Sequence, residues 1–203
     1  PFKGGVQCVA EVWRNLTSVG STPLAITDCL NFGSPEIPEI MGQFIECIKG
    51  MTEACNDLNF PVVSGNVSFY NQTDGVAIQP TPQIGGVGLI ENLDYIANIS
   101  FSSDDQSLFL IGKTNGHLGA SIFLREILGR EDGEPPETDL EEEKRNGDFV
   151  RHLIKSGKVK TCHDVSDGGI YTAVAEMVLL SKRGIDLVLP ELSTSNQFLF
   201  GED

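Results

Sequence analysis

The sequence predicts an α/β or α+β fold that is built from two modules. Short apolar runs, which suit buried strands, alternate with longer segments in which apolar residues recur at helical spacing. A polar, turn-rich stretch near residues 96–106 separates two such series. The length of 203 residues, with 40% apolar and 21% charged residues, suits one large globular domain or two small ones. We therefore expect a first module at residues 1–95 and a second at residues 106–203.

The first module contains the strand and helix signals in a clear order. Helical periodicity over residues 4–19 predicts a first helix that Gly20 ends. The runs at residues 23–30 and 60–69 predict two buried strands, and residues 75–90 predict a strand, a proline-rich bend and a further strand.

A second helix is predicted between those two buried strands. Ser34 is the expected N-cap and Pro35 the expected first-turn residue, because a capping hydroxyl and a fixed backbone angle both favour a helix start. A continuous apolar stripe along this helix predicts packing in the core. It comprises Ile37, Met41, Phe44, Ile48, Met51, Cys55 and Leu58.

The second module repeats the alternation of strand and helix patterns. Three strands and three helices are expected in it, each from its apolar period. The predicted strands cover residues 107–114, 158–164 and 185–192, and the predicted helices cover residues 116–129, 140–157 and 168–182.

Charge and cysteine usage exclude several classes of protein. The 29 acidic and 14 basic residues give a net charge of −15, which repels phosphodiester backbones and anionic membranes, so we expect no nucleic-acid and no membrane partner. The sequence contains no apolar run as long as a membrane span. Five cysteines without a CxxC pair suit reduced thiols in a cytoplasmic protein better than disulfides or a zinc site.

Two strands of the first module end in polar residues. Asp28 closes one apolar run, and Ser64, Gly65, Asn66 and Ser68 close the next. In open α/β sheets ligands collect at the carboxyl ends of strands. Carboxylate and amide oxygens suit Mg²⁺ that is shared with phosphates, and glycine lets a phosphate approach the backbone. The sequence has neither a Walker A loop nor a GxGxxG motif.

Each of these features also has an interpretation without a ligand. Residues 62–71 (VVSGNVSFYN) are rich in turn-forming residues, and Asp28 alone suits a turn or a helix cap as well as a ligand site. Because two polar strand ends occur in one small module, we expect a ligand site and a purely structural role about equally.

The second module offers a similar choice at residues 163–169 (HDVSDGG). A glycine pair at a helix N-terminus forms an anion site, but Ser166 or Asp167 can cap the same helix without any ligand. Cys162 next to His163 suggests a metal site or a Cys-His nucleophile only weakly, because no third ligand accompanies them.

Several of these stretches resemble the phosphoribosylformylglycinamidine synthase family, large or "II" subunit. The resemblance covers essentially the whole chain and matches the second half of that enzyme. It is carried by residues 23–36 (PLAITDCLNFGSPE), 41–75, 80–92, 163–177 (HDVSDGGIYTAVAEM) and 199–203 (LFGED). The family resemblance implies an aminoimidazole-ribonucleotide-synthetase-like unit with an A-type and a B-type module, in which the sheet of the A-type module pairs with another module.

The resemblance also implies an activity and its residues. These enzymes use ATP to phosphorylate the amide oxygen of formylglycinamide ribonucleotide, and ammonia from a glutamine amidotransferase subunit or domain then displaces the phosphate. On this pattern Asp28 and Gly65 are expected to contact ATP, Asn66 to bind Mg²⁺ and Ser68 to contact the substrate.

No catalytic residue is expected in this chain, because the family's catalytic histidines belong to the first half of the enzyme. His117, His152 and His163 do not match them. The N-terminus lacks Met and residues 198–203 end on an apolar run, so both modules are expected to be cut from a longer polypeptide and the chain alone to be inactive. Two alternatives remain, a structural half that holds a nucleotide and another ATP-dependent member of the same superfamily.

Overall fold

The computed structural model describes residues 1–101, 103–189 and 195–203. They form two compact units. The first consists of residues 1–17, 21–91 and 138–145, and the second of residues 18–20, 92–137 and 146–203. In these described ranges no helix has the length and apolar character that crossing a membrane requires.

The first unit consists of two long helices and a three-stranded sheet. Helix α1 spans Phe2–Ser18 and helix α2 spans Pro38–Asp57. Strands β1 (Thr22–Asn31), β2 (Val62–Ser68) and β5 (Thr81–Leu89) form the sheet, and β3 (Gln72–Thr73) pairs with β4 (Val76–Ala77) in a small hairpin. These elements confirm the first helix, the two strand segments and the strand–bend–strand pattern that the periodicity predicts. The prediction that the second strand is buried is wrong: residues 62–67 of β2 are exposed, because β2 lies at the edge of the sheet.

Helix α2 begins later than the sequence predicts. Its N-cap is Ile37, with no side-chain capping bond, and Pro38 lies at its start. The Ser34 hydroxyl instead accepts a bond from the backbone N–H of Glu36 at 3.3 Å. Ser34 and Pro35 are therefore in a turn before the helix, and their assignment as N-cap and first-turn residues is wrong. Serine stabilises local turns by the same kind of side-chain bond that caps helices, which is why the sequence does not separate the two.

The predicted apolar stripe of α2 packs in the core over most of its length. Met51 and Leu58 are buried, but Ile37 and Met41 at the start of the helix are 43% and 36% exposed. Ile40 takes the inward position there. In its second half α2 passes close to the start of α1. A Cβ on Gly50 would lie 2.1 Å from the Phe2 carbonyl oxygen, so the two backbones touch where a side chain would separate them.

The sheet has the order β2-β1-β5, with β1 parallel to β2 and antiparallel to β5. Strand β2 is therefore an edge strand. One face of the sheet packs on α1 and α2, around a core that includes Val9, Trp13, Ile26, Leu30 and Phe60. The other face is open. In each strand, every second residue directs its side chain to this open face.

The second unit keeps only part of its predicted secondary structure. Helices α3 (Leu140–Lys155) and α4 (Gly169–Ser181) confirm two predicted helices. The first residues of α3, up to Arg145, belong to the first unit and the rest to the second. A third, expected over residues 116–129, is reduced to a π-helical stretch at Phe123–Ile127. A 3₁₀ turn at Leu93–Tyr95 and a short helix α5 (Ser195–Phe200) were not expected.

The strands predicted for the second unit do not form in the described residues. Residues 107–114 and 158–164 have no strand, apart from one isolated bridge between Asn98 and Thr161. Residues 185–189 also lack one, and residues 190–192 of that prediction lie outside the described residues. A strand needs a hydrogen-bonded neighbour, and the apolar run at 107–114 finds none here: Phe109 is 78% exposed. An apolar period alone does not supply that neighbour.

Candidate functional site

Asp28 and Gly65 lie side by side on neighbouring strands. The parallel register of β1 and β2 pairs them directly. A Cβ built on Gly65 would lie 2.1 Å from Asp28 Oδ1 and 2.6 Å from its Cγ. The Asp28 carboxylate therefore lies over the Cα of residue 65, and only glycine leaves room for it. The sequence predicts that this missing side chain admits a phosphate; in the structure the same space admits the carboxylate.

Asp28 faces the helix layer of the first unit. It lines a cavity of about 380 Å³ between α2 and the strands, together with Ile48, Met51, Thr52, Cys55, Asn56, Asn59, Pro61 and Val62. Burial raises the pKa of Asp28 above its ordinary value. Burial, and then the neighbouring Asp28, raise the pKa of the Cys55 thiol, so that cysteine is not an activated nucleophile. The cavity combines one carboxylate with apolar walls and several amide and hydroxyl groups.

Asn66 and Ser68 lie on the opposite, open face of the sheet. Asn66 pairs with Cys29 and Ser68 with Asn31 across the parallel register. Because successive residues of a strand point to opposite faces, the side chains of Asn66 and Ser68 share a face that Asp28 does not. Asn66 is exposed, and within the described residues its side chain has no hydrogen-bond partner. The structure thus brings the four predicted residues to one pair of strands but divides them between its two faces.

A polar clamp follows Ser68 at the end of β2. Asn71 Nδ2 donates to the Ser68 carbonyl oxygen at 2.9 Å and to the Phe32 carbonyl oxygen at 3.1 Å, and it lies 3.2 Å from the Ser68 hydroxyl. Sequence reasoning assigned no role to Asn71. The signal that could have found it is its position three residues after Ser68, beyond the strand, where an amide side chain can fold back on the strand end.

The N-terminus of α4 is occupied by the protein's own carboxylate. Glu202 accepts bonds from the backbone N–H groups of Gly168 at 2.7 Å and Ile122 at 2.9 Å. Gly168 is the N-cap, without any side-chain capping bond, so capping of α4 by Ser166 or Asp167 is wrong. The backbone N–H donors that predicted an anion site at residues 163–169 are present at the start of α4, but Glu202 of the same chain already accepts a hydrogen bond from one of them.

Asp203 binds a second set of donors in the same unit. Its Oδ1 accepts from the Thr114 hydroxyl at 2.5 Å and from the His117 N–H at 3.2 Å, and its Oδ2 accepts from the Asn115 N–H at 2.7 Å. Burial raises the pKa of Asp203, but these hydrogen bonds outweigh it and hold the pKa below its ordinary value. Glu202 and Asp203 therefore satisfy two separate groups of hydrogen-bond donors.

His163 and Cys162 form no reactive centre. His163 Nδ1 lies 3.2 Å from Asp164 Oδ1, and its Nε2 lies 2.7 Å from Glu176 Oε2. Burial raises the pKa of the Cys162 thiol to about 11, which keeps it protonated at neutral pH. Across residues 1–101, 103–189 and 195–203, no group of three or more histidine, cysteine or acidic side chains is placed to hold a metal ion.

Comparison with known proteins identifies the family. The profile described as "AIR synthase related protein, N-terminal domain" matches residues 1–90, and that of the C-terminal domain matches residues 103–202. The chain belongs to this family. These matches confirm the aminoimidazole-ribonucleotide-synthetase-like unit and the α/β fold that the resemblance implies. The resemblance to the synthase family is confirmed by the relatives described next.

Individual relatives extend this result. The phosphoribosylformylglycinamidine synthase subunit PurL of Bradyrhizobium diazoefficiens is 56% identical over 204 residues, covering 100% of this chain and 28% of the relative. The chain therefore spans little more than a quarter of the length of such relatives. Two structures of Thermotoga maritima PurL share the fold, each covering 100% of this chain. The structure complexed with FGAR has a TM-score of 0.68 and is 22% identical to this chain, and the match covers 33% of that structure's chain. The structure complexed with ATP has a TM-score of 0.67 and is 20% identical, and the match covers 31% of its chain.

The open face fits one kind of magnesium site and not another. It offers the amide oxygen of Asn66, while the carboxylate of Asp28 on the neighbouring strand lies on the opposite face. Mg²⁺ keeps several waters and takes phosphate oxygens readily, so one or two protein oxygens suffice when a nucleotide supplies the rest. The residues of this chain thus fit a Mg²⁺ that is held mainly by phosphates, and they do not fit a cage made by this chain alone.

Proposed function

We propose that this chain is part of a phosphoribosylformylglycinamidine synthase, an ATP-dependent C–N ligase of purine biosynthesis. The observation that carries the proposal is 56% identity to a PurL subunit along the entire chain. In this reaction ATP phosphorylates the amide oxygen of formylglycinamide ribonucleotide. Ammonia then attacks the activated carbon and phosphate leaves with that oxygen, so the amide becomes an amidine.

The two faces of β2 contribute different contacts in this proposal. Asp28 and Gly65 contact ATP from the helix side, Asn66 binds Mg²⁺ and Ser68 contacts the substrate on the open side. Because β2 is an edge strand, a ligand that lies along its free edge reaches both faces. When bound, Mg²⁺ neutralises charge on the phosphate oxygens during transfer.

The open face of the sheet is also suited to packing against a partner module. Val87 and Leu89 lie on it, 55% and 49% exposed, and an exposed sheet face with apolar side chains favours pairing with a complementary surface. We assign this surface to a second A-type module, which is the first half of the same enzyme. That half supplies the catalytic histidines, and a glutamine amidotransferase subunit or domain supplies ammonia. We further propose a cytoplasmic location for this ATP-dependent enzyme.

Substitution of Asn66 in the complete synthase tests the assignment of metal and nucleotide to this strand. Asn66→Leu removes the oxygen at nearly constant size, so we expect turnover to fall at least tenfold and the Mg²⁺ concentration for half-maximal activity to rise. Asn66→Asp keeps an oxygen and should alter the Mg²⁺ dependence less. The same loss should appear without turnover, as a smaller Mg²⁺-dependent rise in melting temperature with a non-hydrolysable ATP analogue.

The matched control is Gln83→Leu, which makes a similar replacement on the same face, on β5 rather than β2. We expect it to leave the Mg²⁺ dependence unchanged. A lowered melting temperature for Asn66→Leu, with unchanged turnover and unchanged Mg²⁺ dependence, would show that Asn66 only stabilises strand β2 and binds no metal.

A further inference from the structure

Asn71 is fixed in a single orientation by the ends of two strands. Its Nδ2 group faces two carbonyl oxygens, those of Ser68 and Phe32, at 2.9 Å and 3.1 Å. A flipped amide would place Oδ1 against both carbonyls, which repel it, so the nitrogen must take this position. The requirement is for an amide: a carboxylate of the same shape has no proton to donate.

The backbone around Asn71 is held just as firmly. The Asn71 N–H donates to the Phe32 carbonyl at 3.1 Å, the Tyr70 N–H donates to the Gly33 carbonyl at 3.0 Å, and the Phe32 N–H donates to the Ser68 carbonyl at 3.0 Å. Tyr70 has φ = 61°, a conformation that residues other than glycine rarely adopt. The chain therefore reverses sharply after β2, and this reversal directs the side chain of Asn71 back toward Ser68.

Aromatic packing anchors the same corner to helix α2. The Phe44 ring meets Phe32 edge-on at 5.1 Å between centroids, and it meets Phe69 at 5.1 Å in the same manner. Phe32 and Phe69 are the residues that directly follow β1 and β2, next to the carbonyl groups that Asn71 binds. The corner is therefore a rigid support on which a functional side chain can be held precisely in place.

The hydroxyl of Ser68 is only loosely bonded. It lies 3.2 Å from Asn71 Nδ2, whose two protons already point at closer carbonyls, and 3.4 Å from Asn71 Oδ1. At these distances Nδ2 limits where the oxygen can lie, while the hydroxyl proton makes a long bond that a better acceptor displaces at little cost. The Ser68 hydroxyl is thus oriented by Asn71 and can still form a hydrogen bond to a ligand.

We propose that Asn71 is a positioning residue that holds the Ser68 hydroxyl for contact with the substrate. The inference rests on the proposed function, in which Ser68 contacts formylglycinamide ribonucleotide. Asn71 itself touches neither substrate nor nucleotide. It acts by fixing the carbonyl and hydroxyl of residue 68 relative to the end of β1.

A double-mutant cycle in the complete synthase tests this. Ser68→Ala and Asn71→Ala should each raise KM for formylglycinamide ribonucleotide by roughly three- to tenfold, the effect of about one net hydrogen bond. Because Asn71 acts through Ser68, the double variant should have about the KM of Ser68→Ala alone, rather than the product of the two effects. KM for ATP should change in neither variant.

A purely structural role predicts a different pattern. Loss of the bonds to Phe32 and Ser68 would lower the melting temperature of Asn71→Ala whatever residue 68 is, and would leave KM for the substrate unchanged. Asn92→Ala is the matched control, since it removes an asparagine bond to a backbone N–H at Asp94, and should lower stability without raising KM. Asn71→Ser, which can still donate to one carbonyl, provides a milder variant if Asn71→Ala yields little folded enzyme.

Each outcome decides between the two proposals. An unchanged KM in Asn71→Ala or Asn71→Ser, beside a raised KM in Ser68→Ala, overturns the positioning role and leaves the Ser68 assignment intact. Multiplying effects in the double variant also overturn it. If Ser68→Ala leaves KM for the substrate unchanged, the assignment of Ser68 is wrong, and Asn71 has no substrate contact to position.

Discussion

The two places where the sequence predicts anion chemistry differ in what already fills them. At the end of β2, the Asn66 side chain is exposed and has no hydrogen-bond partner among the described residues. At the start of α4, the Gly168 N–H is buried and bonded to Glu202. Both regions are rich in glycine and small polar residues, so composition does not distinguish them. A binding site differs from a structural junction in having polar groups that the protein itself leaves available.

The surroundings of the Asp28 carboxylate differ from those of the Glu202 and Asp203 carboxylates. Glu202 and Asp203 are held by backbone N–H groups, whereas Asp28 lies over a glycine Cα beside a cavity. Burial raises the pKa of Asp28 and, despite its bonds to Gly168 and Ile122, also that of Glu202. A carboxylate at the edge of a cavity can meet a ligand, while a carboxylate enclosed by backbone donors stabilises the fold.

The largest effect on stability is expected at Gly65. Gly65→Ala places a Cβ 2.1 Å from Asp28 Oδ1, so the carboxylate or the strand must shift, and we expect a loss of about 1–3 kcal/mol in the free energy of unfolding. Urea denaturation measures it. Gly85→Ala on β5 is the control. Its Cβ would lie 3.0 Å from the Thr27 methyl group and 3.9 Å from the Thr27 carbonyl oxygen, so it should cost less.

The Asp28 carboxylate is identified as the cause by a second substitution. Asp28→Ala removes the obstacle, so Gly65→Ala should cost clearly less in that background. An equal cost in both backgrounds would mean that backbone strain at residue 65, and not the carboxylate, requires glycine.

A smaller effect is expected at the α4 junction. Glu202→Ala leaves the N–H groups of Gly168 and Ile122 without their acceptor, which should cost about 1–2 kcal/mol of stability in the second unit. Glu202→Gln keeps an acceptor oxygen and should cost less. Neither variant should change KM for ATP in the complete synthase. A changed KM for ATP would show that this helix start contacts nucleotide, and the contrast between the two regions would then fail.

The smallest effect is a pH dependence at Asp203. Its folded-state pKa lies below the ordinary value, so its ionised form stabilises the fold above that ordinary value, near 3.8. This contribution is lost as the pH falls from there through the depressed pKa. Asp203→Asn should therefore be less stable than the parent protein at pH 7, with the difference shrinking below about pH 4. Melting temperatures across pH 3–7 measure this, and a difference that stays constant with pH would contradict it.

The sequence by itself determined the elements whose signal is local. Helices α1, α3 and α4 and strands β1 and β2 follow from apolar periods that each segment carries within itself. Motifs such as TDCLNFG and VVSGNVSFYN are specific enough to identify the family, because they combine residue types that packing alone does not require in that order.

Only the tertiary structure decided which polar groups remain available. The bond from Glu202 to Gly168 joins residues 34 positions apart, and that from Asn71 to Phe32 joins residues 39 apart, so no local pattern contains either. The division of Asp28 and Asn66 between two faces depends on the register of β1 against β2. The sequence of either strand alone does not determine that register. Strands at 107–114 and 158–164 failed for the same reason: a strand exists only with a hydrogen-bonded partner, and the partner is a property of the fold.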